Sequence, residues 1–422
     1  MKTFLMVATG SSIGLTSACL GMIRALDCVG VRASFMKPFN QMDRAGHSLD
    51  QSSPLVASTF DLKPPAALDV HQLERLIGNG QEDELLEQVV AQYHQVLQGH
   101  DAVVVEGLVP SAEASYASRL NVALAQALDA TVILVSPASL SEPEALADRL
   151  EVHAQPFGGL LHPRVAGAIL MRGKGLPASP PQAGTLPYAQ QLASLFEQMQ
   201  PYLPQLDTAH FRLLGLVPFS NELSVPRIKD VAAAIGAQFL SEGDSNRRVV
   251  RTTLCARTVA NVLDSFRPGN LIVTPGDRDD ILVAIALACM NGVPLSGLLL
   301  TGGFLPEDRL IELCRPALRT GLPVMSVDTD SFDAVNRLLH MSGEIPADDT
   351  ERAEQVTRYV SSHIDLDWLR QQVSQPQRHR LSPAAFRHSL VQKAQQVRCR
   401  IVLPEGSEPR TVEAAIACQN RG

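Results

Sequence analysis

The chain has 422 residues, 45% of them hydrophobic, and carries a net charge of −8 from 36 Lys and Arg against 44 Asp and Glu. That length predicts two or three domains with ample core, and an acidic chain without basic clusters argues against a nucleic-acid partner. Seven cysteines with no C-x-x-C pair argue against a cysteine-held metal and read as reduced core thiols of a cytoplasmic protein.

Residues 2–8 are apolar and predict a strand, followed by Thr9-Gly10-Ser11-Ser12-Ile13-Gly14-Leu15-Thr16-Ser17 and then a helix carrying Ala18, Leu20, Ile23 and Leu26. Gly10-Ser11-Ser12 interrupts the apolar run that a signal peptide needs. Strand, Gly-rich turn and helix form the context of a phosphate loop, in which backbone N–H groups converge on an anion at a helix N-terminus. Gly10, Ser11, Ser12, Gly14, Thr16 and Ser17 are therefore candidate anion-binding residues. The pattern G-x-x-x-x-G-K-[ST] is not kept, however. Only three residues separate the glycines, and Leu15 stands where the lysine belongs. The alternative is a relic loop that keeps its glycines for a tight turn.

Residues 32–39 predict a second strand ending at Lys37-Pro38, and residues 100–107 a third ending at Glu106-Gly107. In a parallel sheet, Gly10, Lys37 and Glu106 would all lie at carboxyl ends of strands, where open α/β sheets bind ligands. This set resembles dethiobiotin synthetase, with its Gly-rich loop, K-P strand end and V-E-G strand end. The resemblance implies that Lys37 faces phosphate or substrate and that Glu106 sits near Mg²⁺. Without it, Lys37 reads as a surface amine and Glu106 as a capping carboxylate. Further along, residues 121–128 predict a helix, 131–136 and 165–170 buried strands, 173–187 a mobile Pro/Gly/Ser-rich loop, and 211–218 a strand of this domain or the next.

From residue 225 the alternation repeats. One strand precedes Asp277-Arg278 and another precedes Thr301-Gly302-Gly303. Residues 281–300 carry no charge, but the turn signal Asn291-Gly292-Val293-Pro294 splits them into a buried helix and a strand rather than a membrane span. Asp277, Arg278, Thr301, Gly302 and Gly303 resemble the DRTGG domain. The readings are a small-metabolite or nucleotide site, or turn geometry with the Asp277 carboxylate capping a helix. Arg247-Arg248 is a second anion contact or a solvated pair. Residues 346–380 are polar with helical spacing, and Trp368 is expected to anchor that helix.

Residues 401–403 predict a strand, Pro404-Glu405-Gly406 a turn, and 409–418 a helix containing Arg410. One strand and one helix cannot bury each other's apolar faces, so this reads as the first βα unit of a further domain. The segment resembles the opening of the catalytic domain of phosphate acetyltransferase, and the whole chain resembles the long bacterial form of that family. Thr9-Gly10-Ser11-Ser12 through Ser17, with leucine for lysine, is typical of its degenerate N-terminal domain.

The expected architecture is α/β. It comprises a parallel-sheet, P-loop-like domain (1–224), a smaller DRTGG-type domain (225–345), a polar helical linker (346–382) and the truncated start of a phosphate acetyl/butyryl transferase domain (383–422). The resemblance implies that the parent interconverts acetyl-CoA and phosphate with acetyl phosphate and CoA. Direct attack by the CoA thiolate would use residues absent here. Glu405 and Arg410 are motif positions without a catalytic role, and the chain alone is expected to be inactive. No cofactor, metal or membrane is expected. The effector would be a Mg-nucleotide or a small metabolite, and the protein a homo-oligomer. The alternatives are a stand-alone nucleotide- or metabolite-binding module and a dethiobiotin synthetase-like ATP-dependent ligase.

Overall fold

The computed structural model describes all residues except 1, 43–49, 112–113, 175, 177–187, 204–205, 207–209, 342, 376–379, 397–400 and 421–422. In chain order, β1 (Lys2–Ala8) leads to α1 (Leu15–Cys28), and β2 (Ala33–Met36) to α2 (Ser52–Phe60), α3 (Val70–Gly78) and α4 (Glu82–Leu97). Then come β3 (Ala102–Glu106), α5 (Ala117–Ala127), β4 (Thr131–Pro137), α6 (Pro143–Ala154), β5 (Val165–Gly173), α7 (Ala189–Met199) and β6 (Arg212–Pro218). The next stretch holds α8 (Ile228–Ile235), β7 (Gln238–Ser241), β8 (Arg251–Leu254), β9 (Asn270–Pro275), α9 (Asp279–Met290), β10 (Gly297–Thr301), α10 (Asp308–Leu318), β11 (Val324–Ser326) and α11 (Ser331–Leu339). Last are α12 (Thr350–Ser361), α13 (Leu366–Ser374), α14 (Pro383–Gln396) and α15 (Pro409–Asn420).

These elements form two compact units, one from Met1–Phe219 with Ala347–Gly422, the other from Ser220–Pro346. The first is built on a six-stranded sheet in the order β2-β3-β1-β4-β5-β6, parallel throughout. β1 is buried at every residue, as expected of a central strand covered on both faces. Leu5 and Val7 point into the core shared with α4, α5 and α6, whereas the Phe4 ring lies 6.2 Å from that of Trp368 in α13. The run 211–218 thus belongs to this sheet, as its edge strand β6.

The stretch 346–382, read from its polarity as a linker, does more than connect. α12 packs along α1 at Gly21, where a Cβ would stand 2.3 Å from Val360 Cγ1. Residue 364 bridges Gly215 on β6, and Asp365 N–H donates to the Leu214 carbonyl at 2.8 Å. Ser382 Oγ donates to the Ala127 carbonyl, and α14 lies on α4. Trp368 is buried, as its anchoring role requires. The expected strand at 401–403 does not form, and no element among the described residues pairs with it. Ile401 and Val402 are 78% and 80% exposed, followed by a turn and α15. Most of the expected loop at 173–187 lies outside the described residues.

The second unit is a five-stranded sheet, β7-β11-β10-β9-β8, parallel except for β7 against β11. Its strands alternate cleanly between two cores. Ile272, Leu298 and Leu300 pack on α9 and α10, and Leu271, Val273 and Leu299 on α8 and α11. The charge-free stretch 281–290 forms the body of α9, which is exposed at Leu287 and Met290. No helix among the described residues is long and apolar enough to cross a membrane.

Candidate functional site

At the carboxyl edge of the first sheet, the turn after β1 runs into α1 through two left-handed residues, Ser12 (φ 58°) and Gly14 (φ 86°). Gly14 is the residue preceding α1, and its conformation explains the glycine. Gly10 has no such reason, since a Cβ there would meet nothing within 4 Å. Ser11 and Ser12 are exposed, Thr16 and Ser17 half-buried. From β5, Arg172 Nη1 donates to the Ser12 carbonyl at 2.9 Å and pins the turn.

Two of the other expected residues converge beneath this turn. Lys37 follows β2, and Glu106 ends the adjacent β3. Lys37 Nζ is 3.1 Å from Glu106 Oε1 and 3.8 Å from Asp50 Oδ1. Ser52, the first residue of α2, joins them. Its Oγ donates to Glu106 Oε1 at 2.8 Å and lies 3.1 Å from Lys37 Nζ and 3.0 Å from Thr16 Oγ1. A hydroxyl has one proton and two lone pairs. With its proton given to Glu106, Ser52 accepts from both Lys37 and Thr16 and is saturated. Asp50 Oδ1 accepts the Ser52 and Ser53 backbone N–H groups, which fixes the start of α2. One turn beyond Thr16, the buried Cys19 thiol is pushed well above its ordinary range by burial and by the Glu106 carboxylate, while Lys37 opposes the shift.

Glu106 Oε2 and Thr9 Oγ1 are buried without a hydrogen-bond partner. No group of three or more His, Cys, Asp or Glu able to hold a metal occurs among the described residues. Ser52, Asp50, Cys19 and Arg172 escaped the motif reading. Only Asp50, as an acidic residue two before a serine at a helix start, carried a readable signal. Leu15 is buried in the lysine position, and the Lys37 ammonium faces the Glu106 and Asp50 carboxylates.

In the second unit, the DRTGG residues cluster at the ends of β9 and β10. Gly276 N–H donates to the Thr301 carbonyl at 2.9 Å, and a Cβ on Gly276 would collide with the Phe304 carbonyl. Gly302 (φ 83°) and Gly303 (φ 70°) donate to the Thr329 and Val327 carbonyls. Thr301 Oγ1 pairs with Ser331 Oγ at 2.6 Å. Arg278 is held by Asp280 at 2.8 and 2.9 Å and by the Arg257 carbonyl. The Asp277 side chain does not cap α9, whose N-cap position is Arg278. Arg247 is a staple between carbonyls, donating to Leu295 and Thr320, rather than a solvated cation. Glu405 and Arg410 are exposed, on the turn before α15 and in its first turn.

A family model described as AAA domain matches residues 2–227, more than half of the chain, and one described as DRTGG domain matches residues 230–341. The chain belongs to this AAA-domain family. Phosphate acetyltransferase of Pseudomonas aeruginosa is 47% identical over the whole of this chain and 59% of its own length. That of Nitrosomonas europaea is 45% identical with the same coverage, and that of Escherichia coli 38% identical, with 60% of its length covered. The chain thus spans about three-fifths of the length of the curated relatives it matches. AAA and DRTGG domains in this order fit the N-terminal region of the long-type phosphate acetyltransferases.

Proposed function

We propose that this chain is the regulatory and assembly portion of a phosphate acetyltransferase, whose whole form converts acetyl-CoA and phosphate to acetyl phosphate and CoA. The observation that carries the reading is end-to-end similarity, at 47% identity, to a phosphate acetyltransferase of which it spans 59%. The site chemistry is compatible with a non-catalytic role. Among the described residues, no nucleophile at either sheet edge stands beside a base with an oxyanion donor opposite. The dethiobiotin synthetase-like ligase is disfavoured by Leu15 and by the engagement of Lys37 with Glu106.

The effector in this proposal is a small metabolite or a Mg-nucleotide. The charge balance around Lys37 disfavours a triphosphate at the first unit, so the DRTGG edge of the second is the better place for a nucleotide. Homo-oligomeric assembly belongs to the same proposal and rests on family resemblance. The test is removal of the region equivalent to this chain from the whole enzyme. Acetyl phosphate formation should persist while its response to a panel of nucleotides and small carboxylates is lost. A shortened enzyme that keeps the full response would overturn the regulatory assignment.

A further inference from the structure

The charge-free stretch of the second unit is only half explained by its fold. No Asp, Glu, Lys or Arg occurs from residue 281 to residue 300, and α9 takes up the first ten of these positions. A helix on a protein surface ordinarily sets one apolar stripe against a charged face, whereas a helix apolar all round is ordinarily buried all round. On one side α9 meets that condition, with Ile281, Leu282, Ile285, Ala286 and Cys289 packed into the core of the unit. The other side is open. Leu287 and Met290 are 55% and 54% exposed, and Val283, Ala284 and Ala288 are half-buried. Val283 and Leu287 are four residues apart, as are Ala284 and Ala288, and Leu287 and Met290 are three apart, so they make one continuous face.

Charge selects what covers this face. Across a two-fold axis a surface meets itself, so a charge near the axis meets its like, and a self-complementary patch has to be neutral at its centre. α9 is neutral throughout its open face, and charge returns one helix away. The neighbouring α10 exposes Leu313 but also carries the Glu312–Arg315 pair, which gives the patch a polar rim. Helices that lie on lipid carry Lys or Arg on their polar face, whereas the charges of α9 are Asp279 and Asp280 in its first turn. The shape is self-complementary as well. Leu287 stands beside the small Ala284 and Ala288, so the Leu287 side chain of one copy has a shallow strip to enter on the other.

We propose that the open face of α9 is a two-fold contact between copies of this chain. The two α9 helices pack antiparallel, centred near Leu287, with Leu287 and Met290 of each copy against Ala284 and Ala288 of the other. The inference rests on the homo-oligomeric assembly in the functional reading and gives that assembly a surface. It needs no ligand and no reacting group.

The experiment is sedimentation equilibrium of the full 422-residue chain from about 1 to about 100 µM, a range over which mass action reveals a weak dimer. The native chain should approach twice its 45.5 kDa monomer mass at the upper end. Leu287→Glu, which sets a carboxylate against its own copy, should stay at the monomer mass, and so should Leu287→Lys. An equimolar mixture of the two should regain the larger mass, because residue 287 then meets the opposite charge. Ile401→Glu, in the exposed run at the far end of the chain, should leave the native mass unchanged. Circular dichroism and thermal melting establish that each variant is folded, and Met290→Glu with Met290→Lys serves if the Leu287 variants are not. A native chain that is monomeric at about 100 µM overturns both the contact and homo-oligomerisation through this chain. A native oligomer that Leu287→Glu and Met290→Glu leave intact overturns the α9 contact alone. Failure of the mixed charges to restore the mass overturns the two-fold arrangement. A monomeric native chain that pellets with phosphatidylcholine vesicles, and no longer does so as Leu287→Glu, assigns the face to lipid and overturns the proposal.

Discussion

Charge balance at single residues decides the character of the first unit. Leu15 is 6% exposed and sits in the first turn of α1. Replacing it with lysine would bury an ammonium among apolar neighbours, which costs several kcal/mol unless the group is neutralised. Leu15→Lys is therefore expected to lower the melting temperature without conferring ATP hydrolysis, read by calorimetry and phosphate release. ATP turnover in that variant would revive the ligase reading. His94 and His388 stack at 5.1 Å where α14 lies on α4, and His388 Nε2 is buried without a hydrogen-bond partner. Burial, and then His388, lower His94 from its ordinary value of 6.5. Burial likewise lowers His363. A depressed histidine binds fewer protons in the folded than in the unfolded state, so stability is full above about pH 6.5 and declines as pH falls through that value. The urea midpoint should drop between pH 7.5 and 5.5, and His94→Phe should drop less; identical midpoints across that range would refute the coupling. The places of Lys37 and Glu106 at the carboxyl edge are legible in the sequence because each stands at the end of an apolar strand. Those of Ser52 and Asp50 are not, because nothing local shows that the start of α2 reaches the ends of β2 and β3.

Among the elements, the helices after residue 347 behave least as their sequence suggests. They are polar, and their packing partners lie more than 100 residues earlier, so periodicity predicts the helices but not their destination. Two glycines admit them. A Cβ on Gly21 would stand 2.3 Å from Val360 Cγ1, and one on Gly215 would stand 2.3 Å from the His363 carbonyl oxygen. The second clash is with backbone and cannot be relieved by a rotamer change. Gly215→Ala is expected to cost about 1–3 kcal/mol. It should also loosen the start of α13, seen as a red shift of emission from Trp368, the chain's sole tryptophan. Unchanged stability and emission would mean that the 363–365 segment does not need its close seat on β6. The strands β1, β3, β4 and β5 were readable because parallel strands covered on both faces are continuous apolar runs. The run 401–403 has the same composition but no neighbouring strand among the described residues, and it remains exposed. Apolar content alone does not make a strand.

At the scale of the whole molecule, the account rests on two units of α/β build, each carrying loops at the carboxyl edge of its sheet. The first holds its ammonium in an internal pair, and the second holds Arg278 against Asp280. About two-fifths of the length of the Pseudomonas aeruginosa relative lies outside the part matched here. The exposed Ile401, Val402, Val412 and Ile416 are the apolar groups left over at the far end of the chain. The most direct measurement is acetyl phosphate formation from acetyl-CoA and phosphate, with the 422-residue chain and the whole protein assayed side by side. The account predicts turnover by the whole protein and none above buffer from this chain. Turnover by the chain alone at a comparable rate would contradict it.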